Sequence, residues 1–260
     1  MRRRSALLLV AFLVAVTAAL VTTPVGATAP TAKKPSGTIT VSAAASLTEA
    51  FTAIGEKYQK QNPKATVTFN FGSSSALVTQ IQGGAPADVY AAADLTNMDK
   101  LVSGGQVTAT PAPFARNQMG IAVKPGNPQK VTGVADLANI GTISLCGTTV
   151  PCGVYAASTL KKANVTIPES SITRGADAKA TLAAVSQGDA NAAIVYVTDV
   201  KAAGTTVQGV EIPADQNVVA VYPIAPIASS TNAKLAQSFI EYVVSPAGQK
   251  ILAKYGFLAA

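Results

Sequence analysis

Two short runs of small hydroxyl residues stand where a ligand could be held. Ser46 follows the alternating segment Thr38-Ile39-Thr40-Val41 through Ala43-Ala44-Ala45, and Ser73-Ser74-Ser75 follows a second alternating segment, Ala65 to Phe71, through Gly72. A helical pattern begins directly after each, so both runs fall at strand-to-helix turns. Backbone N–H groups are unpaired there and the helix dipole favours an anion. Ser46-Leu47-Thr48-Glu49 also has the form of a capping box, in which the Ser46 oxygen accepts from the N–H of Glu49 while its own proton points outward. Ser73, Ser74 and Ser75 read as well as an ordinary polar turn with an N-cap. A third candidate is the C-x5-C loop from Cys146 to Cys152, again between a strand and a helix. In an exported protein this spacing favours a disulfide that fixes the backbone preceding the helix; the C-x-x-C spacing of a redox pair is absent.

The chain contains no histidine and only two cysteines, which excludes much chemistry at once. Ser-His-Asp and Cys-His catalysis and histidine-containing metal sites all need an imidazole, and a zinc site or iron–sulfur cluster on four thiolates needs more cysteines. A Ser/Lys hydrolase, for example Ser74 with Lys179, stays open, although neither a G-x-S-x-G elbow nor an S-x-x-K motif marks a nucleophile. A cell-envelope interaction protein without a small ligand is a third class.

The elements that position these residues follow from the pattern along the chain. Arg2, Arg3 and Arg4 precede an apolar run from Ala6 to Val21, and Pro24-Val25-Gly26-Ala27 supplies small residues for cleavage. That order predicts an export signal over residues 1–27; a retained membrane anchor is the competing reading. Residues 28–37 read as a polar connector. Loss of the three arginines lowers the formal charge from +7 to +4. The remaining lysines, such as Lys57, Lys60, Lys64, Lys161 and Lys162, are scattered without interleaved aromatics, so no nucleic-acid partner is expected.

With 48% hydrophobic and 13% charged residues the chain reads as globular. The spacing predicts a helix from Leu47 to Tyr58 stopped at Asn62-Pro63, a helix from Ala76 to Ile81, a short strand from Asp88 to Ala92 and a helix over 95–102. After Pro111 and Pro113 come strands at 120–123 and 141–145, helices at 154–163 and 178–186, and a strand at 192–197. An extended apolar segment at 218–227 and helices at 232–244 and 246–255 close the chain. Strands alternating with helices of this length predict an α/β protein built on largely parallel sheet covered on both faces, in two lobes. In such a fold the ligand lies beyond the carboxyl ends of the strands.

Several local motifs occur together and in order: Ala43-Ala44-Ala45-Ser46-Leu47-Thr48, Phe71-Gly72-Ser73-Ser74-Ser75, Gly83-Gly84-Ala85-Pro86-Ala87-Asp88-Val89, Val150-Pro151-Cys152-Gly153-Val154-Tyr155 and Ala193-Ile194-Val195-Tyr196, with Lys254-Tyr255-Gly256-Phe257 at the end. With these the chain resembles the periplasmic molybdate-binding proteins of ABC transporters, the ModA family, over essentially all of residues 38–260. The resemblance implies a two-lobe periplasmic-binding-protein fold of type II. Lobe 1 would comprise 38–115 and 221–260, lobe 2 would comprise 116–220, and the chain would cross a hinge twice.

The resemblance further implies an oxyanion held by the hydroxyls of Ser46 and Ser74, the main-chain N–H groups of Cys152 and Ala178, and the phenol of Tyr196. Asp177 and Lys179 are the neighbouring alternatives to Ala178. The ligand would be molybdate or tungstate, with sulfate or another tetrahedral oxyanion as the alternative, and the partner a membrane permease. The protein would be an exported monomer and not an enzyme. It would need no cofactor and no bare metal cation, molybdenum arriving only as the oxyanion. A set made of donors alone suits a fully deprotonated dianion; phosphate carries a proton at neutral pH and would leave it unpaired. On this reading Arg116 and Arg174 are surface or hinge residues.

Overall fold

The computed structural model describes residues 34–260. The expected export signal over 1–27, and the connector as far as Lys33, lie outside the described residues. Gly37–Ala44 (β1) is the strand expected around Thr38, and its β-branched residues alternate until the strand becomes wholly buried at its end. Thr48–Gln61 (α1) follows and packs Ala50, Phe51, Ile54 and Tyr58 inward at helical spacing. Ala65–Gly72 (β2) and Ser74–Gln82 (α2) repeat the unit. Val89–Ala91 (β3) and Leu95–Ser103 (α3) complete a first group, with the Asp94 carboxylate capping α3 by accepting from Asn97 N.

Ala112–Val123 (β4) then leads to a second group made of Ile143–Cys146 (β5), Pro151–Lys162 (α4), Ile172–Gly175 (β6), Ala178–Ser186 (α5), Ala192–Tyr196 (β7), Val197–Ala203 (α6) and Gln208–Val210 (β8). Val219–Pro226 (β9) returns to the first group, where Ala233–Val244 (α7) and Pro246–Lys254 (α8) end the chain. Pro246 at the first helical position and the Ser245 cap account for the start of α8.

The strands of the described residues form one nine-stranded mixed sheet in the order β2-β1-β3-β9-β4-β7-β5-β6, with β8 paired to β4. Pairing is parallel for β1 with β2 and β3, and for β5 with β6 and β7. All pairing that involves β4 or β9 is antiparallel. The expectation of largely parallel sheet therefore holds within each group, and the strands that run between the groups depart from it. These two strands are paired with each other, Arg116 opposite Val221 and Asn117 opposite Ala220, with a register shift between Pro113 and Ala115.

Three expectations about elements need correction. The strand expected at 120–123 begins at Ala112, because β4 tolerates Pro113 at its bulge and the polar Arg116 and Asn117 in its middle. The helix expected from Val154 begins at Pro151, since proline at the first helical position costs no hydrogen bond. The capping box at Ser46 does not form. Ala45–Leu47 is a 3-10 turn that runs directly into α1, and no side chain caps either. Ser46 is thus inside a turn, and its hydroxyl is free for a distant partner.

The largest apolar cluster extends through both groups, from Phe51, Phe114 and Phe239 to Ile143, Ile194 and Tyr196. An aromatic series crosses it: Phe51 to Phe114 at 5.6 Å between ring centroids, Phe114 to Tyr222 at 6.3 Å, Tyr222 to Tyr196 at 5.9 Å and Tyr196 to Tyr155 at 6.4 Å.

Candidate functional site

The turns that follow β1, β2, β3, β5 and β6 and the end of β7 converge on one small cavity of about 10 Å³. Its lining includes Ser46, Ser74, Cys152, Ala178 and Tyr196. All of the residues implied by the resemblance are therefore brought together, from segments up to 150 positions apart. Ser73, Asp177 and Pro151 line it as well.

Each group reaches the cavity for a local reason. Ser73 caps α2 by accepting from Ala76 N at 3.3 Å, which leaves Ser74 as the first helical residue, almost wholly buried. Ser74 Oγ accepts from Ala93 N at 3.0 Å, and its main-chain carbonyl accepts from the Tyr90 hydroxyl at 2.9 Å. Ser46 Oγ lies 2.9 Å from the Tyr222 hydroxyl, a partner 176 residues away. At α4, Pro151 supplies no N–H, so Cys152 offers the first donor of a helix whose opening turn cannot pair its own amides. The sulfurs of Cys146 and Cys152 stand at bonding distance, with Cα atoms 5.7 Å apart. Gly153 lets the loop close on this helix: a Cβ there would overlap the carbonyl oxygen of Gly147.

At α5 the Asp177 carboxylate accepts from Ala180 N at 2.9 Å, which leaves the N–H of Ala178 at the opening of the helix. Lys179 does not line the cavity. Its ammonium contacts both carboxylate oxygens of Glu49, at 2.7 and 2.8 Å, and stands 3.3 Å from Asp199 Oδ1. Ser74 makes no hydrogen bond to it, so the pairing that a Ser/Lys hydrolase requires is not formed. Arg116 holds the carbonyls of Ala259 and Ala260, and Arg174 pairs with Glu169 and donates to the carbonyl of Cys146. Neither guanidinium is on the cavity wall.

Tyr196 differs from the other polar groups. It is buried, and among the described residues its hydroxyl meets no partner in hydrogen-bonding geometry. A buried donor without an acceptor costs about 1–3 kcal/mol, so its position on a cavity wall calls for an acceptor there. Burial first, then the neighbouring phenols of Tyr222 and Tyr155 and the carboxylates of Asp199 and Asp94, hold Tyr196 well above the ordinary tyrosine range. It is a neutral O–H donor at any physiological pH. Burial likewise raises Tyr222, against the lowering effect of its bond to Ser46.

The cavity thus collects hydroxyls, a phenol and the opening turns of α2, α4 and α5, with no lysine or arginine of the described residues on its wall. Such a wall offers hydrogen bonds and the positive ends of helix dipoles, which is the chemistry of an anion site.

The model of the bacterial extracellular solute-binding protein family matches residues 39–258. The molybdate-binding protein ModA of Mycobacterium tuberculosis is 38% identical over 221 residues, 84% of either chain. The chain belongs to the ModA family of bacterial extracellular solute-binding proteins. Solved structures agree on the fold of this ModA-family chain. The periplasmic molybdate-binding protein of Azotobacter vinelandii superposes with a TM-score of 0.78 at 18% identity, covering 85% of this chain and 99% of that one. The sulfate-binding protein SubI of M. tuberculosis gives 0.77 at 21% identity, covering 86% and 87%. Among the described residues no helix is long and apolar enough to cross a membrane.

Sequence reasoning missed three participants. Tyr222, Asn117 and the Glu49–Lys179–Asp199 cluster all depend on partners more than 80 residues apart, apart from Lys179 with Asp199. Asn117 was hidden in a polar stretch that hardly resembles a strand.

Proposed function

We propose that this chain is the extracytoplasmic binding component of an ABC transporter for molybdate, and that tungstate is taken by the same cavity. The observation that carries the reading is the unpartnered, buried phenol of Tyr196 on a wall shared with the hydroxyls of Ser46 and Ser74 and the first donors of α4 and α5. The name of the M. tuberculosis relative supports molybdate as the ion. A fully deprotonated tetrahedral dianion accepts from every one of these groups. Charge-assisted bonds contribute about 1.5–3 kcal/mol each, so five or six of them offset desolvation and leave the ~8 kcal/mol of micromolar affinity. Asp177, the single acidic residue on the wall among the described residues, is engaged through Oδ1 with its own helix.

In this reading residues 38–115 with 221–260 and residues 116–220 act as lobes, and the paired strands β4 and β9 are the hinge. Ser46 and Ser74 belong to the first lobe; Cys152, Ala178 and Tyr196 belong to the second. Closure on the ion gives the shape recognised by a membrane permease. Residues 1–27 direct export of a monomer, the Cys146–Cys152 disulfide forms after export, and the protein carries out no reaction. Sulfate has the same charge and also accepts from every donor, so cavity size must discriminate against it. Calorimetric titration of the purified protein with molybdate, tungstate, sulfate and phosphate tests the reading: molybdate and tungstate should bind far more tightly than phosphate, and a preference for phosphate would overturn it.

A further inference from the structure

Which way the hydrogens run around Ser46 decides what the cavity can bind, and the neighbours of Tyr222 determine it. Asn117 is buried in the middle of β4. Its Oδ1 accepts from Gln118 N at 2.9 Å, and a main-chain N–H can only donate. That contact fixes the orientation of the amide and turns Nδ2 toward Thr198 Oγ1 at 2.8 Å and the Tyr222 hydroxyl at 3.3 Å. An amide nitrogen also only donates, so the Tyr222 oxygen is an acceptor on that side. Tyr222 is wholly buried and has one proton to place. Ser46 Oγ, at 2.9 Å, is the acceptor hydrogen-bonded to it. The reverse arrangement, Ser46 donating to Tyr222, would leave the buried phenolic proton only the neighbouring Tyr196 oxygen, which is not in hydrogen-bonding geometry with any partner among the described residues.

We infer that Asn117 and Tyr222 are positioning residues that make the hydroxyl of Ser46 an obligate donor into the cavity, and that this polarity enforces selection of fully deprotonated oxyanions. The chain runs from Asn117 Nδ2–H to Tyr222 Oη, from Tyr222 O–H to Ser46 Oγ, and from Ser46 O–H to the ion. Hydrogen bonds in series polarise one another, so the last donor is strengthened by the first two. Ser74 is governed in the same way: the N–H of Ala93 occupies its oxygen, and its own proton is left for the cavity. Each serine oxygen already accepts one bond, so a protonated oxyanion can reach only its remaining lone pair, while the serine hydrogen still points into the cavity. The inference deepens the oxyanion reading and rests on it.

Asn117→Asp is a near-isosteric change that reverses the relay. A carboxylate accepts from Tyr222 O–H, so Ser46 is released to donate to Tyr222 and to face the cavity with a lone pair. Molybdate affinity should then fall by roughly tenfold to a hundredfold, the loss of one charge-assisted bond. Phosphate affinity should fall less, so the ratio of molybdate to phosphate association constants narrows by about tenfold or more. Tyr222→Phe removes the orienting proton and should narrow the ratio in the same direction. In a Ser46→Ala background Tyr222→Phe should have no further effect on that ratio, because Tyr222 acts through Ser46.

The measurement is calorimetric titration of wild type and variants with molybdate and with phosphate, after circular dichroism has shown that each variant is folded. If Asn117→Asp does not fold, Tyr222→Phe and the double variant decide the matter. Wild-type binding with an unchanged ratio in folded variants overturns the inference and leaves the oxyanion reading intact. Failure of the wild type to bind any of the oxyanions overturns both.

Discussion

Asp199 allows a quantitative test of how the two groups are held together. It is wholly buried in the first turn of α6 and faces Lys179 Nζ at 3.3 Å, while the same ammonium contacts Glu49 on α1. Burial pushes its carboxyl up from 3.8 to about 6, against the lowering effect of Lys179 and with a smaller upward push from Glu49. The folded state therefore binds this proton more tightly than the unfolded chain does. Its contribution to stability is fully present below 3.8 and is lost as the pH rises through about 6.

The size follows from the rise itself, roughly 3 kcal/mol in total, of which about 2 kcal/mol is lost between about pH 4 and pH 6. Asp199→Asn keeps the shape and removes the titration. Urea unfolding followed by far-ultraviolet circular dichroism at intervals from about pH 4 to pH 7 gives the difference in unfolding free energy between wild type and variant. Relative to the variant, the wild type should lose about 2 kcal/mol across that range. A difference that stays constant with pH would show that Asp199 does not hold a proton in the folded state near pH 5, and the account of the cluster would be wrong.

Other perturbations probe the cavity wall. Tyr196→Phe should act with opposite signs: it removes an orphan donor and so raises the melting temperature of the apo protein, yet it lowers molybdate affinity by roughly tenfold or more. A lowered apo melting temperature would refute the reading of that phenol. Gly153→Ala places a methyl group against the Gly147 carbonyl and should destabilise by about 2–4 kcal/mol in chemical denaturation, with weaker anion binding because Cys152 N–H moves. Reduction of the Cys146–Cys152 pair, which closes a loop of sequence separation 6, should cost about 2 kcal/mol of stability by the same measurement with and without dithiothreitol. Lys179→Met leaves Asp199 without its counter-charge and should destabilise most at neutral pH, by about 3 kcal/mol, an effect that fades toward pH 4 as Asp199 takes up its proton.

The α/β architecture and most of its elements are legible in the sequence because they rest on local periodicity. Ala178–Ser186 is delimited by its Asp177 cap and its run of small and apolar residues, and Val219–Pro226 by continuous apolar character. The strand-to-helix turns are legible for the same reason, and with them the donors at their helix openings. Long-range polar pairing is not legible. Ser46 and Glu49 sit at capping-box spacing, yet Ser46 bonds Tyr222 and Glu49 bonds Lys179, because tertiary partners outcompete a local cap in a turn that begins as 3-10. In β4, Arg116 and Asn117 interrupt the apolar pattern because one holds the C-terminal carbonyls and the other is the root of the Tyr222 contact.

The chain has seven tyrosines and no tryptophan. Tyr155, Tyr196 and Tyr222 form one edge-on series whose middle ring lies on the cavity wall, and Tyr90 touches the backbone of Ser74. More than half of the intrinsic emitters therefore surround the site, and no indole is present to drain their excitation. Occupancy can be followed as ultraviolet tyrosine emission from the unlabelled protein, and a single tryptophan introduced elsewhere would serve as an acceptor for distance measurements free of background.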